Sequence, residues 1–163
     1  MARKKGEVKI RRLSESDLPR VNEIDRSIFG EERVPTWPFS FEAYWAVYHP
    51  ETSFVAEIDG EVVGFLTGVI EKEERSQSIF SGVHRIGPPS RRRQVGWIDM
   101  IGISHGCQHM GIGRALVEAF HNECKHKNAT MRSIVREDDE RLKNFTVALG
   151  FKKWEVATYE KEP

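Results

Sequence analysis

The chain has 163 residues, with 25 Lys or Arg, 25 Asp or Glu and 39% hydrophobic residues. That length makes one domain, and the balance excludes a disordered chain, which combines low hydrophobicity with high net charge. A net charge of zero removes the global basic field of a dedicated nucleic-acid binder, and no apolar run approaches the roughly 20 residues of a membrane span.

The domain is expected to occupy 1–163, with 1–6 as a solvated basic tail rather than a secretory signal or a nucleic-acid arm. Glu7 to Leu13 alternates apolar and polar residues and predicts a first strand. Ser14 to Asp17 offers capping residues for a helix carrying Leu18, Val21, Ile24 and Ile28, with Pro19 in its first turn and Gly30 as its stop. Glu31 to Pro38 reads as a loop, and Ser40 caps a short aromatic helix with Phe41, Tyr44, Trp45 and Tyr48.

Asp59-Gly60 lies between Phe54–Ile58 and Val62–Leu66, the pattern of a β-hairpin. Glu71 to Arg93 is polar and reads as a long connection. Val95 to Ile103 is a near-continuous apolar run, as expected of a central strand covered on both faces. Gly111 to Lys125 is amphipathic, with Ile112, Ala115, Leu116, Ala119, Phe120 and Cys124 on one face. Arg132 to Arg136 is predicted as a short strand. Asp138 or Asp139 then caps a helix with Leu142, Phe145 and Leu149, closed by Gly150, and Phe151 to Tyr159 makes a last strand.

The segment Ile101 to Arg114 is a buried strand, a glycine-containing loop and a helix start. A helix N-terminus has unpaired N–H groups and the positive end of the dipole, so it attracts anions. Gly111 and Gly113 remove side chains that would keep a phosphate from the backbone, and Ile112 between them can anchor the turn in the core. A P-loop would need Gly-Lys-Ser/Thr where Gly113-Arg114-Ala115 stands. A dinucleotide fingerprint would need more glycines, at the first strand–helix turn.

The spacing Gln108-x-x-Gly111-x-Gly113 resembles the Gln/Arg-x-x-Gly-x-Gly/Ala motif of the GNAT superfamily of N-acetyltransferases. The order of elements from about Val8 to Tyr159, including the terminal Gly150-Phe151, is similar to the whole GNAT fold. The resemblance implies an α/β (α+β) chain. Its sheet would be mixed and mostly antiparallel, with central parallel strands that splay, flanked by helices. It implies acetyl-CoA as cosubstrate, held by Ile101, Gly102, Ile103, Gln108, His109, Met110, Gly111, Ile112, Gly113, Arg114 and Asp139. The pantetheine arm would pair with Val95–Ile103 like an extra strand, and Gly102 suits a bulge or a close backbone approach. A main-chain N–H near Ile101 to Ile103 would hold the thioester carbonyl as it gains charge. The family transfers acetyl directly, with no acyl-enzyme.

The acceptor amine must attack as the free base. With a pKa of ~10.4, only about one lysine-like amine in a few thousand is neutral at pH 7, so a proton acceptor helps. Asp99 is the only ionisable residue inside the central strand. By strand parity it shares a face with Trp97, Ile101 and Ile103. It reads as catalytic base or amine anchor, or else as an acid paired with an arginine of the 91–93 run or of a neighbouring strand. The tyrosine that many family members use to protonate the departing thiolate is replaced by Thr146, and Asp139 stands where an Asn is common.

His105, Cys107 and His109 match no zinc spacing, and no metal is expected. Helix rise of roughly 20 Å excludes a Cys107–Cys124 disulfide, and two cysteines without metal-type spacing suit a reducing, cytoplasmic setting. In the family the early helix–loop region walls the acceptor site. That makes Trp37, Glu31 and Glu32 candidates for holding a cationic amine, while Phe41, Tyr44 and Trp45 read as core. The expected reaction is acetyl transfer to a primary amine of a small molecule, a protein N-terminus or a lysine, with no nucleic-acid or membrane partner, and a homodimer is compatible with it. The alternative is a non-catalytic acyl-CoA-binding regulatory domain.

Overall fold

Strands β1 (Val8–Arg12), β2 (Phe54–Ile58), β3 (Glu61–Lys72), β4 (Gln94–Ile103) and β5 (Ala129–Ser133) lie side by side in chain order in one sheet. The structure, a computed structural model, describes residues 6–30, 40–48, 51–72 and 94–154. The first three pairings are antiparallel and β4–β5 is parallel, so the sheet is mixed and mostly antiparallel, as expected. Asp59 and Gly60 both take positive φ, 51° and 84°, the turn that matches strand twist in a two-residue hairpin.

Helices α1 (Leu18–Phe29) and α2 (Phe41–Tyr48) cover one face of the sheet, and α3 (Ile112–His126) and α4 (Glu140–Ala148) cover the other. The start of α1 is fixed by Asp17. Its carboxylate accepts from the Ser14 N–H at 2.9 Å and hydroxyl at 2.8 Å, and from the Arg11 guanidinium at 2.7 and 2.8 Å. The α1–α2 face buries Val21, Ile24, Phe41, Val55 and Phe65. The other face buries Leu66, Ile112, Leu116, Phe120 and Cys124. Burying a side chain such as Phe120, at 0% exposure, contributes ~1.5–3 kcal/mol.

Three boundaries differ from the sequence expectations. The short strand is Ala129–Ser133, not Arg132–Arg136. Asn128 takes φ 52° right after α3, so the chain turns at once and Ala129 is already buried under that helix. The second hairpin strand runs on to Lys72 rather than ending at Leu66, because β4 pairs with it as far as Gln94. Residues 151–154 carry no regular structure, and the rest of the expected last strand lies outside the described residues.

A β-bulge divides β4. Thr67 faces Met100 and Gly68 faces Ile98, leaving Asp99 as the extra residue. Ile98 and Ile101 therefore both pack toward α3, while Met100 packs toward α1 and α2. The expected common face for Asp99, Ile101 and Ile103 is thereby corrected: strict alternation fails at the inserted residue. Asp99 lies on the α2 side and Ile101 and Ile103 on the α3 side.

Candidate active site

The parallel pairing of β4 and β5 spans Gln94–Ile98 against Ala129–Ser133 and stops there. From Asp99 to Ile103, β4 keeps its β3 partner but has no strand on its other edge among the described residues. Alternate backbone groups along that edge point away from β3. The parallel pairing thus ends halfway along β4, because β5 itself ends at Ser133, and the second half of β4 leads to the start of α3.

The connection from β4 to α3 is drawn tight. The Ser104 N–H donates to Val63 O at 2.9 Å, and the Cys107 N–H donates to Ser104 O at 2.8 Å in a single 3₁₀ turn, His105–Cys107. His105 Nε2 lies 3.0 Å from Ser27 O, fastening the loop to the end of α1. The Gln108 amide donates to Ile103 O at 3.3 Å and accepts from Arg141 at 3.2 Å, tying the loop to β4 and α4. His109 and Gly111 take positive φ, 62° and 82°. Met110 packs onto the α3-side core.

Gly111 is the N-cap of α3 and has no side chain to satisfy the first turn. The N–H groups of Ile112, Gly113 and Arg114 find no acceptor among the described residues, whereas the Ala115 N–H already bonds Gly111 O at 3.1 Å. Ile112 is 1% exposed and anchors the turn, as expected. The site therefore presents bare donors at the positive end of a fifteen-residue helix, a setting that fits a diphosphate. No side-chain cation is needed for that fit. The Arg114 guanidinium reaches back to Ala148 O at 3.4 Å.

The two glycines have different reasons. A Cβ at Gly111 would meet no protein atom within 4 Å, and the position takes left-handed backbone at φ 82°. A Cβ at Gly113 would stand 3.1 Å from Phe145 Cζ and 3.2 Å from Ile103 Cδ1. Gly113 thus also lets α3 close on α4 and β4. Gly102 has a related role. It pairs with Phe65 without a bulge, and a Cβ there would run into the Phe65 ring and Ile28.

Asp99 is half-buried, and its Oδ2 accepts from the Tyr44 hydroxyl at 2.8 Å. Tyr44 is core, as expected, yet its phenol reaches the one ionisable side chain of β4. The sequence signal available was a phenol in a short aromatic helix, since a buried tyrosine hydroxyl needs a partner. The identity of that partner, 55 residues away, is not legible there. Asp139 Oδ1 accepts from the Leu142 N–H at 2.8 Å as the N-cap of α4. Thr146, in place of the tyrosine, gives its hydroxyl to Lys143 O at 2.9 Å.

Glu31, Glu32, Trp37 and the 91–93 arginines lie outside the described residues. Among the described residues no three His, Cys, Asp or Glu side chains cluster as a metal site. No helix there is long and apolar enough to cross a membrane. Cys107 and Cys124 are both free thiols.

Comparison with known proteins bears on this geometry. The family model "Acetyltransferase (GNAT) family" matches residues 18–151. An uncharacterized N-acetyltransferase of Methanocaldococcus jannaschii is 29% identical over 113 residues, which is 69% of this chain and 56% of that protein. The chain thus spans little more than half the length of that relative. Among solved structures, the aminoglycoside 6'-N-acetyltransferase AAC(6')-Ih from Acinetobacter baumannii shares the fold with a TM-score of 0.69 at 19% identity, covering 96% of this chain and 99% of that one. AAC(6')-Iy in complex with the bisubstrate analog CoA-S-monomethyl-acetylneamine aligns with a TM-score of 0.71 at 18% identity, over 96% and 99% of the two chains. Ard1 from Thermoplasma volcanium aligns at 0.62 and 23% identity, over 89% and 82%.

Proposed function

The chain belongs to the acetyltransferase (GNAT) family, and from that membership we propose that it moves the acetyl group of acetyl-CoA to a primary amine by direct attack in a ternary complex. The observation that carries the reading is the half of β4 beyond Ile98 that has no described strand on its β5 side, leading to the N–H groups of Ile112 to Arg114, which have no acceptor among the described residues. One feature offers backbone to an extended amide-containing arm and the other offers donors to a diphosphate. Acetyl-CoA has both parts and supplies an activated thioester when bound.

In this reading the β4 edge beyond Ile98, which has no strand beside it among the described residues, orients the arm, and a main-chain N–H there stabilises negative charge on the thioester carbonyl oxygen. The α3 N-terminus fixes the diphosphate, so the thioester end is aimed along β4 rather than left to diffuse. Asp99 takes a proton from the acceptor amine, directly or through water, as the N–C bond forms and the C–S bond breaks. Thr146 donates its hydroxyl within α4, so the departing thiolate is assigned a proton from solvent.

The acceptor class is a cationic amine, as a small molecule or as a protein N-terminus or lysine. Asp99 on the α2 side of the sheet supports it. Glu31, Glu32 and Trp37 remain assigned to that acceptor wall, and Asp139 contributes by shaping the start of α4. Two free thiols support a reducing, cytoplasmic setting. A homodimer is compatible with the reading.

Titration calorimetry with acetyl-CoA, together with thiol release over a panel holding an aminoglycoside, a polyamine and a peptide with a free N-terminus, tests the reading. Saturable binding that is lost in Gly111→Glu, with release stimulated by at least one amine, is expected. No binding overturns the site, and binding without release across the panel overturns the catalytic assignment in favour of a non-catalytic acyl-CoA binder. Asp99→Asn should cut amine-dependent release by roughly 10²-fold or more while leaving calorimetric affinity in place.

A further inference from the structure

Tyr44 is 1% exposed, and its hydroxyl donates to Asp99 Oδ2 at 2.8 Å. Both ends of that bond are placed by the fold. Asp99 is pushed toward α2 because it is the extra residue of the β4 bulge. Tyr44 is held because α2 is pinned. Asp25 of α1, also 1% exposed, accepts from the Phe41 N–H at 3.1 Å, and the Phe41 ring meets Phe65 edge-on at 5.2 Å. Tyr48 stacks on Tyr44 with ring centroids 5.2 Å apart. A hydroxyl donated to a carboxylate is a strong bond because the acceptor is charged, and it favours the ionised form.

We propose that Tyr44 is a positioning residue for acyl transfer: its hydroxyl holds the Asp99 carboxylate in one orientation and keeps it ionised, ready to take a proton. The inference rests on the reading of Asp99 as proton acceptor. Among the described residues, the elements on that side of the sheet also carry Tyr48 on α2, Asp25 on α1 and Arg132 on β5, and His105 follows the end of β4. The Arg132 guanidinium lies 5.7 Å from the centroid of the Trp97 ring. From β3 comes Thr67, whose buried hydroxyl has no hydrogen-bond partner among the described residues and does not titrate. None of these groups changes when only the Tyr44 hydroxyl is removed.

The test is carboxyl ¹³C titration of the full chain labelled at aspartate, with the Asp99 signal assigned by its loss in Asp99→Asn. In Tyr44→Phe the Asp99 midpoint should rise by about one pH unit, and an unmoved midpoint overturns the proposal. Should Tyr44→Phe fail to fold, the wild-type phenol is followed instead by tyrosine ring ¹³C. Tyr44 should titrate above the ordinary value of ~10, since its ionisation would put two anions in contact, and an ordinary value overturns the proposal. Neither titration requires acyl transfer. A failed positioning role is therefore distinguishable from a failed activity, which the thiol-release assay reads separately.

Discussion

Gly113 and Phe145 meet where α3 crosses α4: a Cβ at 113 would stand 3.1 Å from the ring's Cζ. Ile103 closes the same point from β4. The second glycine of the motif is thus a packing residue, and the first is a backbone-conformation residue at φ 82°. Gly113→Leu should destabilise the protein by about 1–3 kcal/mol through overpacking, and Phe145→Ala in the same chain should recover part of that loss. Gly111→Ala should cost about 1–2 kcal/mol through left-handed strain alone, with no recovery from Phe145→Ala. Urea unfolding of the four variants measures both patterns.

The Arg11–Asp17 pair sets an acid-side stability limit. The hydrogen bond from Arg11 is the main cause that lowers the Asp17 carboxyl from 3.8 to about 2, against the opposing pull of burial. The unfolded chain binds this proton first as pH falls. The pair's contribution, on the order of 1–2 kcal/mol, is therefore complete above about pH 5 and is lost as pH falls from about 4 through 2. Denaturant titrations at pH 2, 3, 4 and 6 should show a steeper acid loss in the wild type than in Asp17→Asn, and parallel curves would refute the assignment.

At the other end of the chain, Asp139 caps α4 through the Leu142 N–H. Asp139→Ala should lower stability by about 1 kcal/mol, while Asp139→Asn, which keeps a side-chain oxygen, should stay within a few tenths. Thermal unfolding of both variants separates a capping role from a purely electrostatic one, which Asn would not preserve.

The two thiols should behave differently toward a disulfide reagent. Burial pushes the Cys124 thiol up to about 11, and its exposure is 0%, so little thiolate exists at pH 8 and nothing can reach it. Cys107 is half-buried in the loop before α3. One thiol per chain should react with the native protein and two in urea. Rapid reaction of Cys124 in the native state would contradict its burial.

Much of the fold was legible because it is written in local patterns. Asp59-Gly60 carries its own turn, Pro19 and Gly30 bracket α1, and Ile112, Leu116, Phe120 and Cys124 recur at helical spacing and are buried. The strand after α3 was placed three residues late, since Asn128 turns the chain by a left-handed backbone that composition does not announce. The Gln108-x-x-Gly111-x-Gly113 spacing located the β4–α3 loop but did not announce the packing of Gly113 against Phe145 and Ile103.

What the sequence alone determined is the succession of elements and the glycine-capped start of α3, both properties of neighbouring residues. Tertiary structure decided the side of the sheet on which Asp99 lies and its bond to Tyr44. The physical reason is the single inserted residue in the β4–β3 ladder. A bulge exists only relative to a partner strand, so no reading of β4 by itself reveals that alternation reverses there.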